Sequence, residues 1–187
     1  HLSIRRQRQM CIRDRVNTWA ERSRIDQTSP AYDRAHPIEV GHVVFFVKEL
    51  EKVSKFYQDV LGFIVSDRYP GRGHFLRCTQ RGGHHDLFLL QLPEARNGLN
   101  HVAFTVRDHH EVFGGGLHMS RCGWDTELGP GRHPISSAIF WYFVSPAGAL
   151  VEYYADEDEL TEAWQPRDFT PGPTLSLIHI SEPTRRS

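Results

Sequence analysis

The sequence predicts an α+β fold made of two repeated βαβββ modules. Residues 40–47 (VGHVVFFV) and 99–106 (LNHVAFTV) are similar strand-like segments, and each precedes a stretch with helical spacing of apolar residues. Each segment carries a histidine next to a valine, His42 in the first and His101 in the second. The two histidines lie 59 residues apart, and an internal repeat of this size indicates a duplicated supersecondary unit.

The first module begins with the strand at residues 40–47. A helix is predicted over residues 49–61, and Gly62 is a natural stop for it. The apolar residues expected on one helical face are Leu50, Val53, Phe56, Tyr57, Val60 and Leu61. Three further strands are predicted at residues 63–69, 74–79 and 86–92, separated by glycine turns at 71–73 and 82–83.

The second module repeats this order from residue 99. Its helix is predicted over residues 108–121, although the run 114–116 is Gly-Gly-Gly and each glycine costs about 1 kcal/mol relative to alanine. That helix is therefore expected to be short, broken or tightly packed. Residues 125–128 and a hairpin of strands 138–144 and 150–155, joined by the Pro-Ala-Gly turn at 146–148, complete the module.

The domain is predicted to cover residues 38–160, with modules at about 38–93 and 97–156. Residues 16–37 are polar and are interpreted as a linker or the remnant of a preceding domain, and residues 161–174 as a C-terminal extension. Residues 1–15 and 175–187 resemble translated sequencing-adapter ends and are left out of the fold prediction. The alternative is a basic N-terminal arm and a disordered C-terminal tail.

Composition restricts the classes of function. The 187 residues carry a formal charge of −1, which does not suggest a nucleic-acid-binding surface. Apolar runs are too short to span a membrane, and no signal peptide is visible. Three cysteines make a disulfide framework improbable and favour a cytoplasmic location. Neither a nucleic-acid nor a membrane partner is therefore expected.

A metal site is predicted from two histidines and one glutamate. Glu152 lies inside an apolar strand, where a carboxylate is costly to bury unless it is paired or binds a metal. His42 and His101 occupy equivalent places in the two modules, and two imidazoles with one carboxylate leave positions open, which suits Fe(II). The alternative is two satisfied core histidines and a solvent-facing glutamate. The last strand of the first module has Gln91 but no inward glutamate, which favours three ligands over four.

Several short motifs occur together in a specific order. They are His85-Asp86 at a strand start, residues 100–104 (NHVAF), residues 131–133 (GRH), Tyr142, and residues 146–152 (PAGALVE). Over residues 38–156 the chain resembles the vicinal oxygen chelate superfamily, which includes glyoxalases, bleomycin-resistance proteins and extradiol dioxygenases. More narrowly, it resembles the catalytic domain of type I extradiol catechol dioxygenases.

The resemblance implies a vicinal-oxygen-chelate (glyoxalase-like) domain that cleaves a catechol-type aromatic diol with O₂. It implies His42, His101 and Glu152 as ligands of Fe(II), with Mn(II) as the other candidate. His85 corresponds to the acid/base histidine, and a histidine with a pKa near neutral can accept and return a proton. His133 and Tyr142 correspond to the pair that contacts substrate. Members of the family assemble as oligomers, so a homo-oligomer is also implied.

Some positions have simpler interpretations or depart from the family pattern. His84 and His85 are adjacent, so only one can face a cavity, and His85 is chosen because it opens the strand. His133 could be a loop residue and Tyr142 a packed strand residue. The residues after His133, 134–137 (PISS), and Ser145 before the hairpin proline differ from the usual family residues. The first departure affects the choice of substrate more than the metal.

Two other classes of function stay open. A glyoxalase-like lyase or isomerase, or a thiol transferase of the fosfomycin-resistance kind, would keep the fold and metal but need no O₂. A metal-free binding protein of the bleomycin-resistance type would need none of the three ligands, and the metal content of the protein separates it from the enzymes.

Overall fold

The computed structural model of the chain describes residues 28–170. In this part the first helix is α1 (Leu50–Asp59) and the second is α2 (His109–Arg121). The strands are β1 (Glu39–Phe46), β2 (Ile64–Tyr69), β3 (Gly73–Arg77), β4 (Gly82–Gly83), β5 (Leu87–Leu90), β6 (Gly98–Thr105), β7 (Thr126–Arg132), β8 (Ile139–Val144), β9 (Leu150–Ala155), β10 (Glu159–Leu160) and β11 (Arg167–Asp168). The predictions for residues 1–15, 175–187 and most of 16–37 lie outside the described residues.

Nine of these strands form one mixed sheet, which confirms the predicted α+β class. Their order is β11-β2-β3-β5-β1-β6-β9-β8-β7, and β4 pairs with β10 in a separate small sheet. The two central strands, β1 and β6, are antiparallel, and each has a parallel neighbour on its other side, β5 and β9 respectively. The strand that carries Glu152 therefore lies directly beside the strand that carries His101.

The register of the two central strands brings their histidines together. His42 is opposite Ala103, and His101 is opposite Val44, so the two histidines are diagonal neighbours. Residues of the same parity along a strand share a face of the sheet. In the parallel pair, Glu152 is opposite Ala103 and thus joins the same face.

Helix α1 covers the opposite face of the first half of the sheet. Leu50 packs in a cluster with Val47, Leu76 and Leu89, and partly buried Val53 and Tyr57 extend it. Three residues assigned by sequence to this apolar face are instead exposed, Phe56, Val60 and Leu61. The helix ends at Asp59, so Val60 and Leu61 lie past its end, and Phe56 contacts the edge of the Tyr57 ring.

Helix α2 runs unbroken through its three consecutive glycines because neighbouring groups approach its backbone closely. A Cβ atom at Gly114 would lie 2.3 Å from the Tyr32 carbonyl oxygen, and one at Gly116 would lie 2.0 Å from the Trp141 ring. Of the three outcomes expected from the sequence, tight packing is therefore the correct one. The helix begins with the Asp108 side chain accepting a hydrogen bond from the Glu111 amide, a regular N-cap.

Replacing Gly116 with alanine is expected to destabilise the protein. Alanine favours a helix by about 1 kcal/mol over glycine, but overpacking of the Trp141 ring costs about 1–3 kcal/mol, so the net effect is a loss. Denaturant unfolding of the variant measures it. Ser120→Ala, at an exposed position of the same helix, is the control and should be close to neutral. A more stable Gly116→Ala protein would contradict the packing described here.

The segment predicted as a C-terminal extension adds the edge strand β11 to the sheet. β11 pairs in parallel with β2, with Arg167 opposite Asp67. The Trp164 indole nitrogen donates to the Ser66 carbonyl and ties the preceding turn to β2.

Neither helix in the described part of the chain has the length and apolar character that crossing a bilayer requires.

Candidate metal centre and its histidines

Three donor atoms from three strands form a small triangle on one face of the sheet. His42 Nε2 and His101 Nε2 are 3.3 Å apart, and each lies 3.1 Å from Glu152 Oε2. Donors held about 2.1 Å from a shared ion at right angles to one another lie roughly 3.0 Å apart. The separations therefore fit three ligands that occupy one face of an octahedral metal ion.

The buried carboxylate supports this interpretation. Glu152 has no exposed surface, and neither of its oxygens has a hydrogen-bond partner among residues 28–170. The neighbouring imidazole nitrogens are within contact distance but are not directed at those oxygens as donors. A buried carboxylate without a hydrogen bond is costly, and a metal ion compensates that cost. The residues present thus fit a divalent cation.

The pKa shifts of Glu152 and His42 favour the protonation states that metal binding requires. Burial acts to raise the pKa of Glu152, but the His42 charge and contacts from His101 outweigh it and hold the pKa well below its ordinary range. Burial lowers the pKa of His42, despite the opposing effect of Glu152. An ionised carboxylate and a neutral imidazole are the forms that bind metal.

A hydrogen bond also orients the second histidine. His101 Nδ1 lies 2.5 Å from Asn100 Oδ1, which can only accept, so the proton is on Nδ1. The lone pair of His101 is then on Nε2, the nitrogen that faces His42 and Glu152. Partners of this kind fix the tautomer of metal-binding histidines.

The first half of the sheet offers no carboxylate at the corresponding place. In β5, Phe88 is opposite Val44, just as Glu152 in β9 is opposite Ala103. The Phe88 ring stacks on Phe75, with centroids 4.0 Å apart. Gln91 lies elsewhere, and its side-chain oxygen accepts from the Leu50 amide at the start of α1. This arrangement is compatible with the prediction of three protein ligands rather than four.

His133 and Tyr142 lie together beside this triangle. His133 Nε2 is 3.0 Å from the Tyr142 hydroxyl and 3.5 Å from Glu152 Oε1. Burial raises the pKa of Tyr142 well above its ordinary value, and the Glu152 charge adds to the effect, so the hydroxyl keeps its proton. Of the aromatic neighbours in β8, Phe140 stacks on His133, whereas Trp141 faces α2.

His85 is the member of its histidine pair that faces the triangle. Its ring centroid is 4.2 Å from that of His42, while His84 turns away to Asp67, with His84 Nε2 2.8 Å from Asp67 Oδ2. Burial lowers the pKa of His85 well below its ordinary value, and the charges of His42 and His84 contribute. His109, at the start of α2, is partly exposed and lies 3.2 Å from Asp156.

A cavity of about 390 Å³ opens at one end of the central strands, next to these groups. Its lining includes Gly41, His85, Thr105, Tyr154 and Glu157. Tyr154 connects the cavity to the triangle, because its ring lies 4.9 Å from that of His42. A small molecule can therefore approach His85 from this side.

Glu157 belongs to this site but was not predicted from the sequence. Its Oε1 atom lies 3.2 Å from His85 Nδ1 and is buried without a hydrogen-bond partner in the described part of the chain. Burial raises the pKa of Glu157 to about 8. In sequence, the run Asp156-Glu157-Asp158 is typical of a solvated loop, so the pattern gives no sign that the middle residue is buried.

Replacing Glu157 with glutamine is expected to raise the stability of the metal-free protein at pH 8 and to change it little at pH 5. The raised pKa means that the folded protein holds a proton that the unfolded chain releases above about pH 4.5, so folding stability falls as pH rises toward 8. This loss in the free energy of unfolding is at most about 5 kcal/mol, because a difference of one in pKa corresponds to about 1.36 kcal/mol. Thermal melting of both proteins from pH 5 to 8 measures the difference, and parallel curves would contradict the prediction.

Comparison with known proteins adds the following findings. Residues 39–153 match the model of the Glyoxalase/Bleomycin resistance protein/Dioxygenase superfamily. Metapyrocatechase 2 of Cupriavidus necator is 33% identical over 138 residues, which are 73% of this chain and 42% of that protein. The 2,2',3-trihydroxybiphenyl dioxygenase of Sphingomonas paucimobilis is 31% identical over 118 residues, 60% of this chain and 40% of that protein.

The fold of the chain is also similar to that of a solved structure. The Mn(II)-bound glyoxalase from Novosphingobium aromaticivorans superposes with a TM-score of 0.69 at 32% identity, covering 79% of this chain and 48% of that one. The chain thus spans less than half the length of each of these three relatives.

Proposed function

Because the chain belongs to the Glyoxalase/Bleomycin resistance protein/Dioxygenase superfamily, we propose that it forms the catalytic domain of an extradiol ring-cleavage dioxygenase. Its substrates would be a catechol-type aromatic diol and O₂. The observation that carries the proposal is the triangle of His42, His101 and Glu152 donors with a third buried histidine, His85, beside it. The names of the two similar dioxygenases support the reaction class.

We propose Fe(II) as the metal, with Mn(II) as the second candidate. Two histidines and one carboxylate on one face of the ion are typical of non-haem Fe(II) oxygenases. Bound there, the ion would supply open coordination positions and the redox chemistry that couples a diol to O₂. The similarity to a Mn(II)-bound structure supports the second candidate.

The surrounding side chains have roles that follow from their chemistry. A neutral His85 can accept the proton that a diol hydroxyl loses on binding, and return it later to the product. Tyr142 keeps its proton and can donate a hydrogen bond to negative charge that develops on the substrate. His133, hydrogen-bonded to Tyr142 and stacked on Phe140, can hold the polar edge of the substrate against an aromatic wall.

Oxygen uptake tests the proposal. The protein is loaded anaerobically with Fe(II), mixed with a series of substituted catechols and then exposed to O₂. Uptake in step with the near-visible absorbance of a yellow ring-opened product is expected. Tightly bound metal without any uptake would contradict the dioxygenase assignment.

A second candidate, a glyoxalase-like lyase or isomerase, is favoured by one observation, the similarity to the solved Mn(II)-bound glyoxalase. It shares the fold and a divalent metal but consumes no O₂. Turnover of a hemithioacetal under anaerobic conditions, without catechol cleavage in air, would support it. A folded protein that binds no metal would contradict both candidates and favour a binding protein.

A further inference from the structure

A series of hydrogen-bonded polar side chains leads from exposed Arg167 on the edge strand β11 to buried His85. Arg167 contacts Asp67 through two of its side-chain nitrogens and its own amide, at 2.7–3.2 Å. Asp67 Oδ2 lies 2.8 Å from His84 Nε2, and His84 Nδ1 lies 3.1 Å from His85 Nδ1. Asp67 and His84 have no exposed surface, so water does not compete for these contacts.

The charge of Asp67 determines which nitrogen of each histidine carries a proton. Burial alone would raise the pKa of Asp67, but hydrogen bonds from His84 and Arg167 outweigh it and lower the pKa. An ionised carboxylate can only accept, so His84 Nε2 carries a proton. In a neutral His84, Nδ1 is then an acceptor, and the proton between the two rings must belong to His85 Nδ1.

We propose that Asp67 and His84 are positioning residues that hold His85 as the Nδ1–H tautomer, with the lone pair of Nε2 free to act as the base. The geometry that carries this is the unbroken series of contacts from Arg167 through Asp67 and His84 to His85. The role of His85 as a base rests on the proposed function, whereas its tautomer does not.

Glu157 is a competing partner for the same nitrogen. Its Oε1 atom is 3.2 Å from His85 Nδ1, but this oxygen has no hydrogen-bond partner within residues 28–170. The hydrogen-bond geometry therefore favours His84 as the partner of His85 Nδ1. The aromatic rings of Trp164 and Phe169 lie 4.2 and 4.8 Å from the Arg167 guanidinium and fix it at the start of the chain. The experiment separates the two partners.

The tautomer is read directly by ¹H–¹⁵N correlation of ¹⁵N-histidine in the metal-free chain of 187 residues. The His85 signals are assigned by their loss in His85→Gln. Wild-type protein should give the Nδ1–H tautomer. In Asp67→Asn, the oxygen is expected at the Oδ1 place, where two of the three hydrogen bonds from Arg167 end, so the amide nitrogen takes the Oδ2 place and faces His84 Nε2. It then donates to His84 Nε2, which reverses both rings and leaves His85 as the Nε2–H form. Asp168→Asn makes the same chemical change at an exposed neighbour and should alter nothing.

Steady-state kinetics of the Fe(II)-loaded proteins then test the consequence. Asp67→Asn should lower kcat for a catechol by at least about tenfold with little change in KM, because only the proton-transfer step is affected. If Asp67→Asn reverses the tautomer of His85 but the wild-type protein cleaves no catechol, the positioning role of Asp67 and His84 is supported and the proposed function is contradicted. The two failures are therefore distinguishable.

Three results would overturn the inference. The first is an Nε2–H tautomer in the wild type, which a doubly protonated His84 would impose. The second is a tautomer that Asp67→Asn leaves unchanged, and the third is one that only Glu157→Gln reverses. If Asp67→Asn does not fold, His84→Phe keeps the ring volume and the Arg167–Asp67 pair. That variant should abolish the preference for Nδ1–H, and retention of the preference would equally overturn the inference.

Discussion

Replacing Glu152 with glutamine is expected to lower the affinity for a divalent metal by more than about a hundredfold, and ring cleavage should be lost with it. Partners outside the ligand set are themselves worth 10–100-fold, and a direct ligand is worth more. Glutamine removes the one anionic donor from a fully buried position and places an amide N–H against imidazole nitrogens 3.1 Å away. The metal content after dialysis and a competition titration with Mn(II) measure the effect.

The matched control is Glu162→Gln. Glu162 is exposed and pairs with Arg81 at 3.3 Å, and neither residue belongs to the triangle. This variant should bind metal like the wild type. A stoichiometric metal ion in Glu152→Gln, held as tightly as before, would show that the carboxylate is not a ligand and would contradict the proposed site.

Replacing His85 with glutamine is expected to lower kcat by about 10²–10⁴-fold while the metal stays bound. That range is the usual contribution of a positioned acid or base to a proton-transfer step. His85 lies beside His42 but is not one of the three donors that converge on Glu152 Oε2, so the metal content should not change. Stopped-flow mixing of the anaerobic catechol complex with O₂ measures the rate.

His110→Gln provides the comparison for this variant, since His110 lies in the first turn of α2 and its ring contacts that of His109. Its kcat should equal that of the wild type. Loss of the metal from His85→Gln would be a different result from loss of the rate. It would favour the other group of ligand-type side chains that the described residues contain, formed by His42, His85 and Glu157.

Much of the fold could be predicted because the signals are local. The strand around His42, the strand around His101 and the hairpin that carries Glu152 each have apolar or alternating patterns, and their ends lie within about two residues of the prediction. The helix α2 is correctly placed as well. Its glycines could be interpreted only with the structure, since the groups that require them, Tyr32 and Trp141, are distant in sequence.

The parts that escaped prediction depend on long-range partners. Strands β4, β10 and β11 have two residues each, too few for any periodic pattern. Arg167 meets Asp67 across 100 residues of sequence, and neither residue differs locally from a surface charge. Glu157 follows Asp156, whose positive φ of 59° turns the chain and buries a side chain that belongs to an acidic run. Burial of such charges is decided by tertiary contacts alone.

Phe88 occupies the place in β5 that corresponds to Glu152 in β9, and this substitution of a ring for a carboxylate has an electrostatic consequence. A divalent ion held by two neutral imidazoles and one carboxylate would keep one positive charge among buried side chains. A glutamate at Phe88 would cancel that charge, whereas the ring stacked on Phe75 leaves it in place. In a low-dielectric interior this charge favours an anion over its neutral acid. Under the proposed function, this charge would favour the ionised form of a bound diol.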